Sequence, residues 1–155
     1  MSNVITCVPQ GSVLGPILFL SFINDLPDTV TGLVKIFADD SKIYFSVINE
    51  QQHQNLQDDL DRLCDWSRKW KLCFNASKCK VMHFGQNNDT LRYTMLDNTD
   101  NYVQVTSISE EKDLGVTFEP SLKFDIHINN CVNKAQRVLA MIRRSFDYIW
   151  KKIRS

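Results

Sequence analysis

The sequence predicts an α+β fold, in which a small antiparallel sheet carries a pair of adjacent aspartates and helices pack on one face of it. Three observations lead there. Two apolar-aromatic runs meet at a bend made by Ala38, Asp39, Asp40 and Ser41. Apolar residues recur at spacings of three and four across residues 49–71 and again across 123–144, the mark of two long amphipathic helices. The segments between them are short and polar-punctuated, as strands and turns are.

A chain of 155 residues suits one domain and can bury a core. Its 18 basic and 18 acidic side chains cancel, so a bulk basic surface is excluded and nucleic-acid contact must use a local patch. No apolar run spans a bilayer, and Ser2-Asn3-Val4-Ile5-Thr6 has neither the charged start nor the apolar stretch of a secretory signal. An intracellular protein without a membrane partner is expected, in the cytoplasm or nucleus. The five cysteines, Cys7, Cys64, Cys73, Cys79 and Cys131, are odd in number and scattered, which fits reduced thiols. Cys73, Cys79 and His83 match no common zinc spacing.

Taken in order, residues 4–8 read as a β segment entering a loop. Residues 11–15 lead into a helix, with Pro16 where a missing N–H is harmless. Residues 17–26 form that apolar helix, ended by Pro27, and 28–32 make a polar turn. The hairpin of 34–45 follows. In the 49–71 helix, Leu56, Leu60, Leu63, Ser67 and Trp70 share a face; Trp66 and Trp70 are read as core rather than as a stacking platform. Residues 72–84 give a loop and then a strand, with Val81 and His83 opposite Met82 and Phe84. A polar turn at 86–90 precedes a hairpin of 91–96 with 102–105, and 113–118 reads as another strand. On the 123–144 helix, Ile128, Cys131, Val132, Ala135, Val138, Leu139 and Ile142 make an apolar stripe. Lys134, Arg137, Arg143 and Arg144 mark a face that either contacts phosphate or is simply solvated. Residues 146–155 read as a frayed end.

The Asp39-Asp40 pair admits two readings. Aspartates favour turns for local hydrogen-bonding reasons. Equally, a tight bend fixes carboxylates in the open, where a hard divalent cation takes oxygen ligands and keeps several waters. The flanking segments bear on the choice: Val8-Pro9-Gln10-Gly11-Ser12-Val13-Leu14-Gly15-Pro16-Ile17-Leu18-Phe19 upstream, Leu72-Cys73-Phe74-Asn75-Ala76-Ser77-Lys78-Cys79-Lys80-Val81-Met82-His83-Phe84 downstream, and later Lys112-Asp113-Leu114-Gly115-Val116. In this order and spacing, and with Phe37-Ala38-Asp39-Asp40 between, the chain resembles the reverse transcriptase of non-LTR, LINE-type (jockey-like) retrotransposons. The resemblance runs from about Val4 to Arg144.

That resemblance implies a partial polymerase palm over 1–118, including a primer-grip hairpin, and the start of a helical thumb over 119–155. It implies an RNA-directed DNA polymerase that adds nucleotides to a primer 3′-hydroxyl by a two-metal mechanism, with Mg²⁺ (Mn²⁺ as substitute) as cofactor. RNA template, DNA primer and deoxynucleoside triphosphates are the implied partners. Asp39 is the main metal ligand and Asp40 supports it. Gln10, Gly11, Ser12, Phe37 and Ala38 line the nucleotide site. Lys78, with Lys80 as second choice, protonates the leaving pyrophosphate, and Leu114, Gly115 and Val116 grip the primer. Cys7 stands where the family has Gly. The family's third metal-binding aspartate and its finger strands lie upstream of Pro-Gln-Gly, and no residue before Pro9 is acidic. The 155 residues alone are therefore expected to be inactive and marginally soluble. The competing class is a catalytically dead remnant, or a module co-opted to bind nucleic acid or protein. A maturase- or telomerase-like relative fits Gly11-Ser12-Val13-Leu14-Gly15-Pro16 and Leu114-Gly115-Val116 less well.

Overall fold

The computed structural model describes residues 11–85, 91–97 and 99–146. The expected β segment over 4–8, the turn over 86–90 and the chain end from 147 onward lie outside the described residues, as does Gln10. The described residues form two compact units. One takes in the chain up to Cys79 and then Leu91–Val105; the other takes in residues of Lys80–Thr90 and of Thr106–Ser155.

In the first unit, helix α1 spans Gly15–Ile23, with Pro16 in its first turn. It ends three residues short of the expected Leu26. A helix continued through Pro27 would drive the proline ring into the Ile23 carbonyl, four residues back. The chain instead breaks at Asn24 and Asp25 and re-forms as a 3-10 turn over Leu26–Thr29, with Pro27 at its start. Strands β1 (Leu33–Phe37) and β2 (Asp40–Tyr44) then pair antiparallel in the register Leu33↔Tyr44 to Phe37↔Asp40. Val34, Ile36 and Ile43 are half-buried on one face; Leu33, Lys35, Phe37 and their partners form the other.

Helix α2 (Glu50–Trp70) packs behind the hairpin. Its start is capped reciprocally: Asn49 Oδ1 accepts from the Gln52 N–H at 2.9 Å, and Gln52 Oε1 accepts from the Ile48 N–H at 2.6 Å. Its end turns left-handed at Lys71 (φ 56°), and Ser67 Oγ donates to the Leu72 carbonyl at 2.7 Å. Ile23, Leu26, Leu63 and Trp66 form the buried core, with Phe19, Val30, Ile36, Leu60, Leu72 and Phe74 packed around it. Trp66 is thus core, as expected. Trp70 sits at the rim, 38% exposed, edge-on to Phe22 at 5.3 Å between ring centroids. Strands β4 (Thr94–Leu96) and β5 (Tyr102–Gln104) make the expected hairpin. Gln57 of α2 takes both backbone groups of Thr94 with its side-chain amide, each at 3.0 Å.

In the second unit, β3 is only Lys80–Val81 and pairs parallel with β6 (Thr106–Ser107). The strand expected to continue through Phe84 stops because the ladder runs out: Val81 accepts from the Ile108 N–H at 2.9 Å and no pairing follows. Residues 113–118 are likewise not one strand. Strands β7 (Glu111–Asp113) and β8 (Val116–Phe118) form a hairpin around Leu114 and Gly115. Both turn residues have positive φ, 46° and 91°, the sign pattern of the tight turn that matches strand twist. Helix α3 (Asp125–Ser145) is joined to β8 by the Thr117 N–H, which donates to His127 Nδ1 at 3.3 Å. No α3 residue is buried, and its apolar stripe is exposed, from 54% at Ile128 to 41% at Ile142.

Among the described residues, the single small antiparallel sheet of the sequence reading is therefore replaced by four two-stranded sheets, one of them parallel. Strands of two to five residues, paired as three hairpins and one short parallel ladder, do not extend into one another. Among the described residues no helix is long and apolar enough to cross a membrane.

Gly32, just before β1, makes a first test of this packing. A Cβ there would stand 2.9 Å from both Ile43 Cγ1 and Phe45 Cδ2. Gly32→Ala is expected to destabilise the first unit by about 1–3 kcal/mol through overpacking. A urea melt showing no loss would contradict the β1–β2 register.

Candidate active site

Asp39 and Asp40 occupy the tip of the β1–β2 hairpin. Because Phe37 pairs with Asp40, the loop is only two residues long, Ala38 and Asp39, and Ser41 already lies in β2 opposite Ile36. The bend is thus tighter than the four residues the sequence suggested. Ala38 has φ 54°, while Asp39 is not left-handed. This is the sign pattern of a type II′ turn, whose first position normally takes glycine. A Cβ there costs on the order of 1–2 kcal/mol, and such strain persists only where the surroundings over-determine it.

Both carboxylates are exposed. Asp40 shares the exposed face with Phe37, which is 59% exposed, and with the cross-strand pair Lys35 and Lys42 two positions along. Like charges directly opposite one another disfavour a ladder, yet the register sets this lysine pair two positions from Asp40 on the same face. Two hard oxygen donors suit Mg²⁺, which is usually bound through one or two carboxylates plus substrate phosphates. Among the described residues, no group of three or more His, Cys, Asp or Glu side chains could hold a metal ion. The pair can therefore contribute to a metal site but does not complete one.

The other sequence-derived residues lie as follows. Gly11 is left-handed (φ 87°) with open space where a Cβ would stand, so the backbone alone calls for glycine. Ser12 accepts from the Leu14 N–H through Oγ at 3.3 Å and from the Gly15 N–H through its carbonyl at 3.3 Å, setting the entry to α1. Lys78 closes a 3-10 turn over Ala76–Lys78, anchored by its N–H on the Asn75 carbonyl at 2.9 Å, and its side chain is exposed. Lys80 Nζ is bound to Glu111 Oε2 at 2.7 Å. Of the two lysines, Lys78 is the one with an unengaged ammonium among the described residues. Leu114 and Gly115 form the β7–β8 turn and Val116 opens β8. Among the described residues, hydrogen bonding does not join Ser12 or Lys78 to the Asp39 turn; Phe37, Ala38, Asp39 and Asp40 come together by adjacency on the hairpin.

One residue escaped the sequence reading. Asp59 of α2 is fully buried. Its carboxylate accepts from the Thr31 N–H at 3.0 and 2.9 Å, from Thr31 Oγ1 at 2.9 Å, from the Gly32 N–H at 2.8 Å and from Arg62 Nη1 at 2.7 Å. A signal was present: Asp59 falls on the apolar stripe of α2 between Leu56 and Leu63, where an unpaired charge is costly.

A hairpin-borne carboxylate pair suited to a hard divalent cation is the kind of turn that metal-dependent polymerases carry. Comparison with known proteins makes the class specific. The chain belongs to the reverse transcriptase (RNA-dependent DNA polymerase) family, whose model matches residues 2–139. It is 34% identical to the RNA-directed DNA polymerase from mobile element jockey of Drosophila funebris over 79% of the chain. It is 31% identical to a probable RNA-directed DNA polymerase from transposon X-element of Drosophila melanogaster over 83% of the chain. It is 28% identical to a probable one from transposon BS of the same species over 88% of the chain. The chain spans 14% of the length of the first two relatives and 16% of the third. No solved structure matches it.

Proposed function

We propose that this chain is a segment of the RNA-directed DNA polymerase of a non-LTR retrotransposon, and that Asp39 and Asp40 are metal-binding carboxylates of its nucleotidyl-transfer site. The observation that supports this best is the strained two-residue turn, which holds the pair at a hairpin tip with Ala38 in a conformation that disfavours it. Divalent ions held there would supply charge that activates the primer 3′-hydroxyl and steadies the leaving pyrophosphate. Asp39 and Asp40 would hold Mg²⁺, or Mn²⁺ in its place, with further ligands from triphosphate, water and other parts of the polymerase. Phe37 and Ala38 then flank the incoming nucleotide from the hairpin, with Gln10, Gly11 and Ser12 as the facing loop. Lys35 and Lys42, beside Asp40, favour a polyanionic substrate. Lys78, whose ammonium is unengaged among the described residues, is the donor of a proton to pyrophosphate.

On this reading residues 1–118 serve as part of the palm and 119–155 begin the thumb. The Leu114-Gly115 turn, with Gly115 left-handed, lets backbone approach the primer strand closely. RNA template, DNA primer and deoxynucleoside triphosphates are the partners.

The test is primer extension with Mg²⁺. The 155-residue chain alone should incorporate nothing, since no third ligand joins the pair among the described residues. Substituted for the matching stretch of the jockey polymerase, it should support Mg²⁺-dependent incorporation. A folded hybrid that binds template–primer but extends nothing would instead mark the segment as a binding module.

A further inference from the structure

We propose that Asp59 is a positioning residue for the Asp39-Asp40 carboxylates, setting the direction of the hairpin from its root. The proposal rests on reading that pair as metal ligands, but its evidence is separate. All the groups that Asp59 holds other than Arg62 belong to Thr31 and Gly32, the two residues that lead into β1. Four donors converge on one carboxylate at 2.7–3.0 Å, and the group is shielded from water. Hydrogen bonds to an ionised, buried acceptor are the strong ones, and they are directional.

The geometry makes the root matter at the tip. The seven steps from Gly32 to Asp39 extend roughly 23 Å at about 3.3 Å per residue. The ladder between is continuous over all five pairs, so the hairpin moves as a unit. A tilt of about 10° at its root displaces the tip by roughly 4 Å, whereas a metal or catalytic constellation tolerates about 0.5 Å. The inner face alone, with Val34, Ile36 and Ile43 only half-buried, is a weak constraint on that tilt because apolar contacts are non-directional. Asp59 supplies the directional one, from the rigid middle of α2.

The test uses the 155-residue chain, with Asp59→Asn compared against Leu63→Ala, a core variant that destabilises the unit but leaves every hydrogen bond to Thr31 and Gly32 in place. Two readouts serve: amide hydrogen exchange at Thr31 and Gly32, and residual dipolar couplings of the β1–β2 amides relative to those of α2. Asp59→Asn should speed exchange at Thr31 and Gly32 about tenfold or more beyond the Leu63→Ala variant. It should also change the hairpin couplings as a block while those within α2 hold. Couplings that keep their wild-type pattern in Asp59→Asn would overturn the proposal. Should Asp59→Asn fail to fold, Thr31→Val, which removes only the hydroxyl donor, carries the same readouts to the same two outcomes. Neither readout involves metal, so loss of this proposal leaves the metal reading standing, and the reverse holds too.

Discussion

Asp39→Asn, placed in a polymerase carrying this segment, is expected to lower Mg²⁺-dependent nucleotide addition by at least about 10³-fold. Charge stabilisation by a correctly held metal ion is worth several kcal/mol at the transition state, and each 1.36 kcal/mol is about tenfold in rate. Asparagine keeps the shape of the side chain and its tolerance of turns but removes the negative charge that holds the cation. Because Asp39 is exposed and makes no hydrogen bond among the described residues, the folded state should not register the change beyond about ±0.5 kcal/mol. The combination is diagnostic: single-turnover incorporation collapses while the thermal melt stays in place. Activity within a few fold of the parent would remove Asp39 from the chemistry.

Trp66→Ala is expected to cost the first unit about 3–5 kcal/mol. Trp66 is 5% exposed and stands 6.3 Å from the Phe22 ring and 6.4 Å from Phe74, between α1 and the loop after α2. Its indole Nε1–H donates to Asp25 Oδ1 at 3.0 Å, tying α2 to the break after α1. Total stabilities of small domains are about 5–15 kcal/mol, so a loss of this size leaves a large unfolded fraction. Trp66→Phe separates the terms: it fills most of the volume and loses only the hydrogen bond, worth about 1 kcal/mol, with Asp25 left to water. Urea unfolding followed by helical circular dichroism reads both. A loss below about 1 kcal/mol for Trp66→Ala would mean that the α1–α2 core is not the centre of this unit.

Much of this was legible because the signals were local. The spacing of Leu56, Leu60, Leu63 and Ser67 announced α2, and Trp66 was read as core. Pro16 and Pro27 were read correctly as punctuation, but the reach of Pro27 back to the Ile23 carbonyl shortened α1 by a turn. The Asp39 hairpin was legible as a hairpin; its two-residue length was not, since Ala at a left-handed position breaks the usual turn chemistry. Pairing between distant short strands was hidden. Lys80–Val81 meets Thr106–Ser107 in parallel, and two-residue strands carry no period from which to read a partner. Asp59 on the apolar stripe of α2 signalled a buried, paired carboxylate, but not its partners across the chain, since two of its donors are the backbone N–H groups of Thr31 and Gly32, which no side-chain pattern records.

The most direct test of the central claim is a Mn²⁺ titration of the 155-residue chain followed by amide NMR. Paramagnetic broadening should begin at Ala38, Asp39, Asp40 and Ser41, spread to Phe37, and vanish in Asp39→Asn. Broadening that starts elsewhere, for example around Asp97 and Asp100, or that survives Asp39→Asn unchanged, would contradict the assignment of the hairpin tip as the metal site.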